Sequence, residues 1–172
     1  LVGSEMCIRD SNNPVPTTGG NQWWWYTDTY RALLQADPAD TRAALTCRTA
    51  DYGTGGRRIG WTEKLMGRVD NGTRIFDSDF ILYRYGEAFL MAAEARYYGK
   101  DYAGALEALA PLAARAYGRR DYYTDTSPEA VLQAIVDEYL REMVGEGRTW
   151  WMLLRTDKIW EYSACLLYTS PS

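Results

Sequence analysis

The sequence predicts a mainly α fold built on an antiparallel helical hairpin, with further helices, a small β-hairpin and long loops. Two observations give the hairpin and the helix after it. Apolar residues recur at spacings of three and four from Phe80 to Ala95 and again from Tyr102 to Ala113, with only Gly99-Lys100-Asp101 completing the link between the two segments. Ser127-Pro128-Glu129 then announces a helix carrying a continuous apolar stripe. A third observation places the β-hairpin: Asp70-Asn71-Gly72 is a strong turn signal between two short strand-like runs.

In chain order, residues 12–22 are rich in Pro, Thr and Gly and read as a loop. Trp23, Trp24 and Trp25 follow, with Tyr26. Three consecutive rings alternate faces in a strand and fan over successive steps of about 100° in a helix, so they cannot all enter one core. They either anchor the loop against the helical body or offer a platform to a ligand. Residues 27–36 predict a short helix with Thr27 or Asp28 as N-cap, Tyr30, Leu33 and Leu34 inward, and a stop at Asp37-Pro38. The glycines between Thr49 and Gly60 lack the Gly-Lys-Ser/Thr ending of a phosphate loop and predict a flexible surface loop. Residues 64–69 and 73–76 form the expected β-hairpin.

The segment from Phe80 to Ala95 reads as one long buried helix, with Leu82, Tyr85, Phe89, Ala92 and Ala93 among its apolar positions. Ala88, Ala92, Ala93 and Ala95 leave room for a second helix. Gly99 is the stop signal, Asp101 the next N-cap, and the second helix runs to Gly118. This pair is a tetratricopeptide-like hairpin. After a tyrosine-bearing linker, the Ser127 helix points Leu132, Ile135, Val136, Tyr139, Leu140, Met143 and Val144 inward and Gln133, Asp137, Glu138 and Arg141 outward.

Both ends of the chain read as non-native. Glu5 to Asp10 can be encoded GAG ATG TGT ATA AGA GAC, whose opposite strand, in a shifted frame, spells Cys165-Leu166-Leu167-Tyr168-Thr169-Ser170. Continuing through Leu1 to Ser4 gives Pro171-Ser172. Such an inverted repeat resembles a translated sequencing adaptor, so residues 1–11 and 165–172 are set apart from residues 12–164. Of 19 basic and 23 acidic residues, removing Arg9, Glu5 and Asp10 leaves 18 and 21, a net charge of −3. That mild acidity argues against a nucleic-acid partner. Only Cys47 of the three cysteines then remains, so no internal disulfide can form. No apolar run is long enough to cross a bilayer.

The chain has no histidine. Its absence removes Ser-His-Asp and Cys-His nucleophiles, His-ligated zinc and most general-base schemes. No cofactor is expected, and no metal: Asp77 and Asp79 lack the remaining ligands of a calcium loop. Glu142 and Glu146 lie one turn apart on one helix, whereas a glycosidase pair flanks its bond from opposite sides. They read instead as structural partners of Arg148 or Arg84, and Arg84 with Glu87 reads as a partly buried pair at three-residue spacing. No catalytic residue is assigned.

Two stretches carry a family resemblance. Arg84-Tyr85-Gly86-Glu87 with Ala93-Glu94-Ala95, and Arg141-Glu142 through Gly145-Glu146-Gly147-Arg148 to Arg155, resemble in order and spacing the two signatures of the SusD/RagB proteins. Asp40-Thr41-Arg42 through Thr46 resembles that family's turn into a strand. The sequence departs from the commoner wording by having Arg148, Thr149, Met152 and Leu154 where His, Arg, Asp and Arg are usual. The resemblance implies a non-enzymatic glycan- or nutrient-binding lipoprotein of the Bacteroidota outer membrane, exposed at the cell surface, of which residues 12–164 are a C-terminal-side part. It implies a lipid anchor at an N-terminal cysteine outside this sequence, and an oligosaccharide or other small nutrient as ligand. It also implies a TonB-dependent, SusC-like transporter as partner. The ligand-binding candidates are Trp23, Trp24, Trp25, Tyr26 and Trp61, with Trp24 and Trp61 the expected platforms. Arg84, Glu87, Glu94, Glu142, Glu146 and Arg148 are the scaffold residues of the motifs. The alternative is a tetratricopeptide-like module that binds peptides or protein helices in a groove.

Overall fold

The computed structural model describes residues 26–52, 57–64, 67–75 and 77–162. Among them the order is α1 (Asp28–Leu34), α2 (Ala43–Thr46), β1 (Arg48–Tyr52), β2 (Arg57–Trp61), β3 (Arg68–Asp70), β4 (Thr73–Ile75), α3 (Tyr85–Tyr98), α4 (Tyr102–Tyr117), α5 (Pro128–Glu142), α6 (Thr149–Arg155) and α7 (Ile159–Tyr162). The fold is mainly α with short antiparallel hairpins, as the sequence predicts.

Capping residues set the helix ends. The Thr27 side chain accepts from the Tyr30 amide at the start of α1, and that helix buries Tyr30 and Leu34. At α4 the Asp101 side chain accepts from the Gly104 amide, and Gly118, at φ 72°, closes the helix in the left-handed conformation. Between α3 and α4 the left-handed residue is Lys100, at φ 63°, while Gly99 stays right-handed. The glycine stop signal therefore falls one residue before the position that turns.

Helix α3 packs along α4, and both pack on α5. The line Leu90, Ala93 and Tyr97 of α3 meets Ala105, Leu106 and Leu109 of α4 over Val131, Ile135 and Tyr139 of α5, in a core that Met152, Leu153 and Ile159 complete. Tyr30 of α1 joins it from the other side, its hydroxyl donating to the Leu140 carbonyl at 2.6 Å.

Several expectations are corrected. The buried helix from Phe80 begins instead at Tyr85, because Arg84 is extended (φ −146°, ψ 160°); Phe80, Ile81, Leu82, Tyr83 and Tyr85 are exposed. Ala88, Ala92 and Ala95 also face outward. Apolar residues lie all round α3, and α4 covers only one line of them. On α5, Glu138 and Arg141 are buried rather than outward, because Arg42, Tyr117 and Tyr123 cover that face. The loop expected over Thr49 to Gly60 contains an antiparallel hairpin, with Arg48 opposite Trp61 and Tyr52 opposite Arg57; residues 53–56 lie outside the description. The expected hairpin forms over β3 and β4 with Asp70 opposite Thr73, and Asn71 (φ 47°) and Gly72 (φ 79°) supply the two positive φ values of its turn.

Candidate functional site, a charged cluster under an apolar-rimmed cavity

The two sequence signatures fold into one ion-pair ladder. Arg84 Nε and Nη2 donate to the two Glu146 oxygens at 2.6 and 2.8 Å, Arg84 Nη1 donates to Glu142, and Nη2 also donates to the Glu142 carbonyl at 2.6 Å. One turn further along α3, Glu87 pairs with Arg148 at 3.3 Å. Glu94 then takes both arms of Arg155, at 2.7 and 2.9 Å. Each charged residue of the first signature thus faces a charge of the second, so α3 is fixed to α5, to the turn after it and to α6. Arg84 and Glu87, expected to pair with each other, do not: the extended backbone at Arg84 sends its guanidinium to α5 and leaves Glu87 to Arg148.

Local backbone makes this possible. Gly145 (φ 74°) and Gly147 (φ 73°) flank Glu146 in the left-handed region and turn the chain so that Glu146 lies beside Glu142. Gly86 is glycine for another reason: a Cβ there would stand 2.8 Å from Glu142 Oε1 and against the Arg84 guanidinium.

Residues outside the signatures extend the cluster. Arg42 donates to Asp40 (2.8 Å from both Nε and Nη2), to Glu138 (2.8 and 3.1 Å), to Glu142 (3.0 Å) and to the Tyr117 hydroxyl (2.7 Å). Arg115 Nη2 reaches both Glu142 oxygens at 2.5 Å, and Lys64 Nζ donates to the Glu142 carbonyl at 2.5 Å and to Glu146 at 2.7 Å. Burial by itself would raise the Glu142 pKa, but Arg84 and Arg115 outweigh it and hold the carboxyl at about 2. Burial would also discharge Arg42, and Asp40 and Glu138 more than reverse that, raising its pKa. For Lys64 burial wins over Glu146, and its pKa falls below the usual lysine range. The sequence carried a trace of this cluster: Glu138, Glu142 and Glu146 recur every fourth residue, and Asp40-Thr41-Arg42 sits in the resemblance. Nothing in the spacing joins them to Lys64 or Arg115.

Above the charges lies a cavity of about 270 Å³. Arg84 and Lys64 lie at its base, Arg115 lines it from an exposed position, and Leu45, Phe80 and Ile81 form its rim. Those three rim residues are 59%, 58% and 55% exposed, so the cavity offers apolar walls over a polar base.

The predicted ligand residues divide. Tyr26 is withdrawn as a platform: it is 1% exposed, packs edge-on to Tyr30 at 5.2 Å, and donates its hydroxyl to the Thr46 carbonyl at 2.9 Å, so neither face is offered to a ligand. Trp23, Trp24 and Trp25 lie outside the described residues, and Trp61 is described only as part of β2. The Tyr26 amide donates to the Gly60 carbonyl at 3.1 Å, which sets the residue following Trp25 against the residue preceding Trp61. Thr46, the partner of the Tyr26 hydroxyl, lines the cavity.

A family model described as the SusD family matches residues 49–164, which include both signatures and the helices they join. The chain belongs to the SusD family. Members of that family are glycan- or nutrient-binding proteins rather than enzymes, generally carried as surface-exposed lipoproteins of the outer membrane. Neither a curated protein nor a solved structure matches the chain significantly. Among the described residues of this SusD-family chain, no helix is long and apolar enough to cross a membrane, and no group of His, Cys, Asp and Glu could hold a metal.

Proposed function

We propose that this chain is part of a lipid-anchored glycan- or nutrient-binding protein at the cell surface, which works with a TonB-dependent outer-membrane transporter. The observation that carries the reading is the family match over residues 49–164. The ion-pair ladder supports it as scaffold: Glu142 and Glu94, held by arginines from other elements, tie the helices into one frame. Trp23, Trp24, Trp25 and Trp61 are the proposed sugar platforms. A tryptophan ring presents an apolar face to the C–H side of a sugar while neighbouring polar groups fix the hydroxyls. Calorimetry with oligosaccharides on single Trp→Ala variants at these four positions tests it. A loss on the order of 1 to 3 kcal/mol at one or more, by analogy with base stacking on aromatic rings, supports the assignment. Unchanged binding in all four removes them as platforms. Cross-linking of the intact protein to an outer-membrane transporter in cells tests the partnership, and its absence in the presence of glycan would count against it.

A further inference from the structure

The cavity is too small for a long chain and has a one-sided chemistry. At about 270 Å³ it falls just under the roughly 300 Å³ at which drug-sized pockets begin, room for one ring. Its base is short of acceptors. Glu142 Oε1 receives Arg84 and Arg115, and Oε2 receives Arg42 and Arg115. Glu146 Oε1 receives Lys64 and Arg84, and Oε2 receives Arg84. Donors remain: Arg115 spends only Nη2 on these bonds, its Nε and Nη1 have no partner among the described residues, and its side chain is 56% exposed. Lys64 Nζ uses two of its three N–H groups. Glu146 Oε2 keeps one open acceptor site against these several donors, so a ligand that brings acceptors is favoured, and the strongest acceptor for a guanidinium is a carboxylate. Phe80 and Ile81 on the rim ask for an apolar face next to that acceptor.

A sugar acid has both. We propose that this cavity binds the uronic-acid residue of an acidic saccharide, its carboxylate held by Arg115 and Lys64 and its C–H face laid on Phe80 and Ile81. This rests on the glycan-binding reading and names the class of glycan. Burial lowers the Lys64 pKa, and a bound carboxylate would favour its charged form.

The test uses the whole chain and calorimetry with three probes: trigalacturonate, its methyl ester and neutral galactotriose. Trigalacturonate is expected to bind about tenfold or more tighter than the ester, the gain of a hydrogen bond to a charged group. Arg115→Gln is expected to erase that preference, Arg115→Lys to keep part of it, and Phe80→Ala, at an exposed position, to weaken acid and ester alike. Circular dichroism confirms that each variant is folded. Equal binding of acid and ester, or a preference that survives Arg115→Gln, overturns the carboxylate assignment and leaves glycan binding standing. Failure of the chain to bind these probes while another neutral glycan binds overturns it in the same way. Failure to bind any glycan overturns both readings.

Discussion

Glu142 is the carboxylate on which three arginines converge, and its loss should be felt in proportion to its ionisation. It is buried, and Arg42, Arg84 and Arg115 all donate to it. Its pKa falls from the ordinary 4.5 to about 2 in the folded chain. At 1.36 kcal/mol for each tenfold change in acidity, that fall corresponds to about 3 kcal/mol of stability. The folded pKa lies below the unfolded one, so this contribution is complete above about pH 5 and is lost as the pH drops through about 2. Glu142→Gln keeps the shape and removes the charge. Urea unfolding at pH 7 should place the variant about 3 kcal/mol below the wild type, within the range for breaking a buried charge pair. Repeated toward pH 2, the gap should shrink steeply, because the wild type then carries a neutral acid in the same place. A variant as stable as the wild type at pH 7, or a gap that does not change between pH 7 and pH 2, would refute the claim that Glu142 is the charged centre of the scaffold.

Other substitutions probe single contacts. Gly86→Ala drives a methyl group to 2.8 Å from Glu142 Oε1 and should cost about 1–3 kcal/mol in chemical denaturation; a neutral result would mean that the Arg84–Glu142 pair yields freely. Lys100→Gly should stabilise by about 0.5–1 kcal/mol, because φ 63° suits glycine better than lysine, and a destabilised variant would contradict the strain. Trimming the chain to residues 12–164 should leave the thermal midpoint within about 1 °C if the inverted repeat marks adaptor sequence, and a clear drop would show that the ends contribute to the fold.

The helices after residue 100 were legible because their punctuation is local. Asp101, Gly118 and Pro128 each act within one turn of their own position, and the stripe Ile135, Val136, Tyr139, Leu140 faces the core as its period requires. The start of α3 was not legible, because nothing near Phe80 records that Arg84 must be extended to reach carboxylates about sixty residues away. The same holds for the pairing of charges. Arg84, Glu94, Glu142 and Arg148 could be singled out by their motifs, but Glu87 and Arg84, three residues apart, looked like partners until the fold offered each a better one. Glu138 and Arg141 face inward although their charge predicts exposure, because a buried arginine from the α2 segment and the tyrosines Tyr117 and Tyr123 make that polar face a second interior. Arg115 and Lys64 carry no motif, and only their convergence on Glu142 and Glu146 marks them.

Glycan binding by the intact chain tests the central claim most directly. Isothermal titration calorimetry against neutral and acidic oligosaccharides, with unfolding by circular dichroism as the control for a folded sample, should give saturable binding to at least one saccharide. A folded chain that binds none of them, yet takes up extended or helical peptides as a tetratricopeptide-like groove would, would contradict the reading of this chain as a nutrient-binding protein.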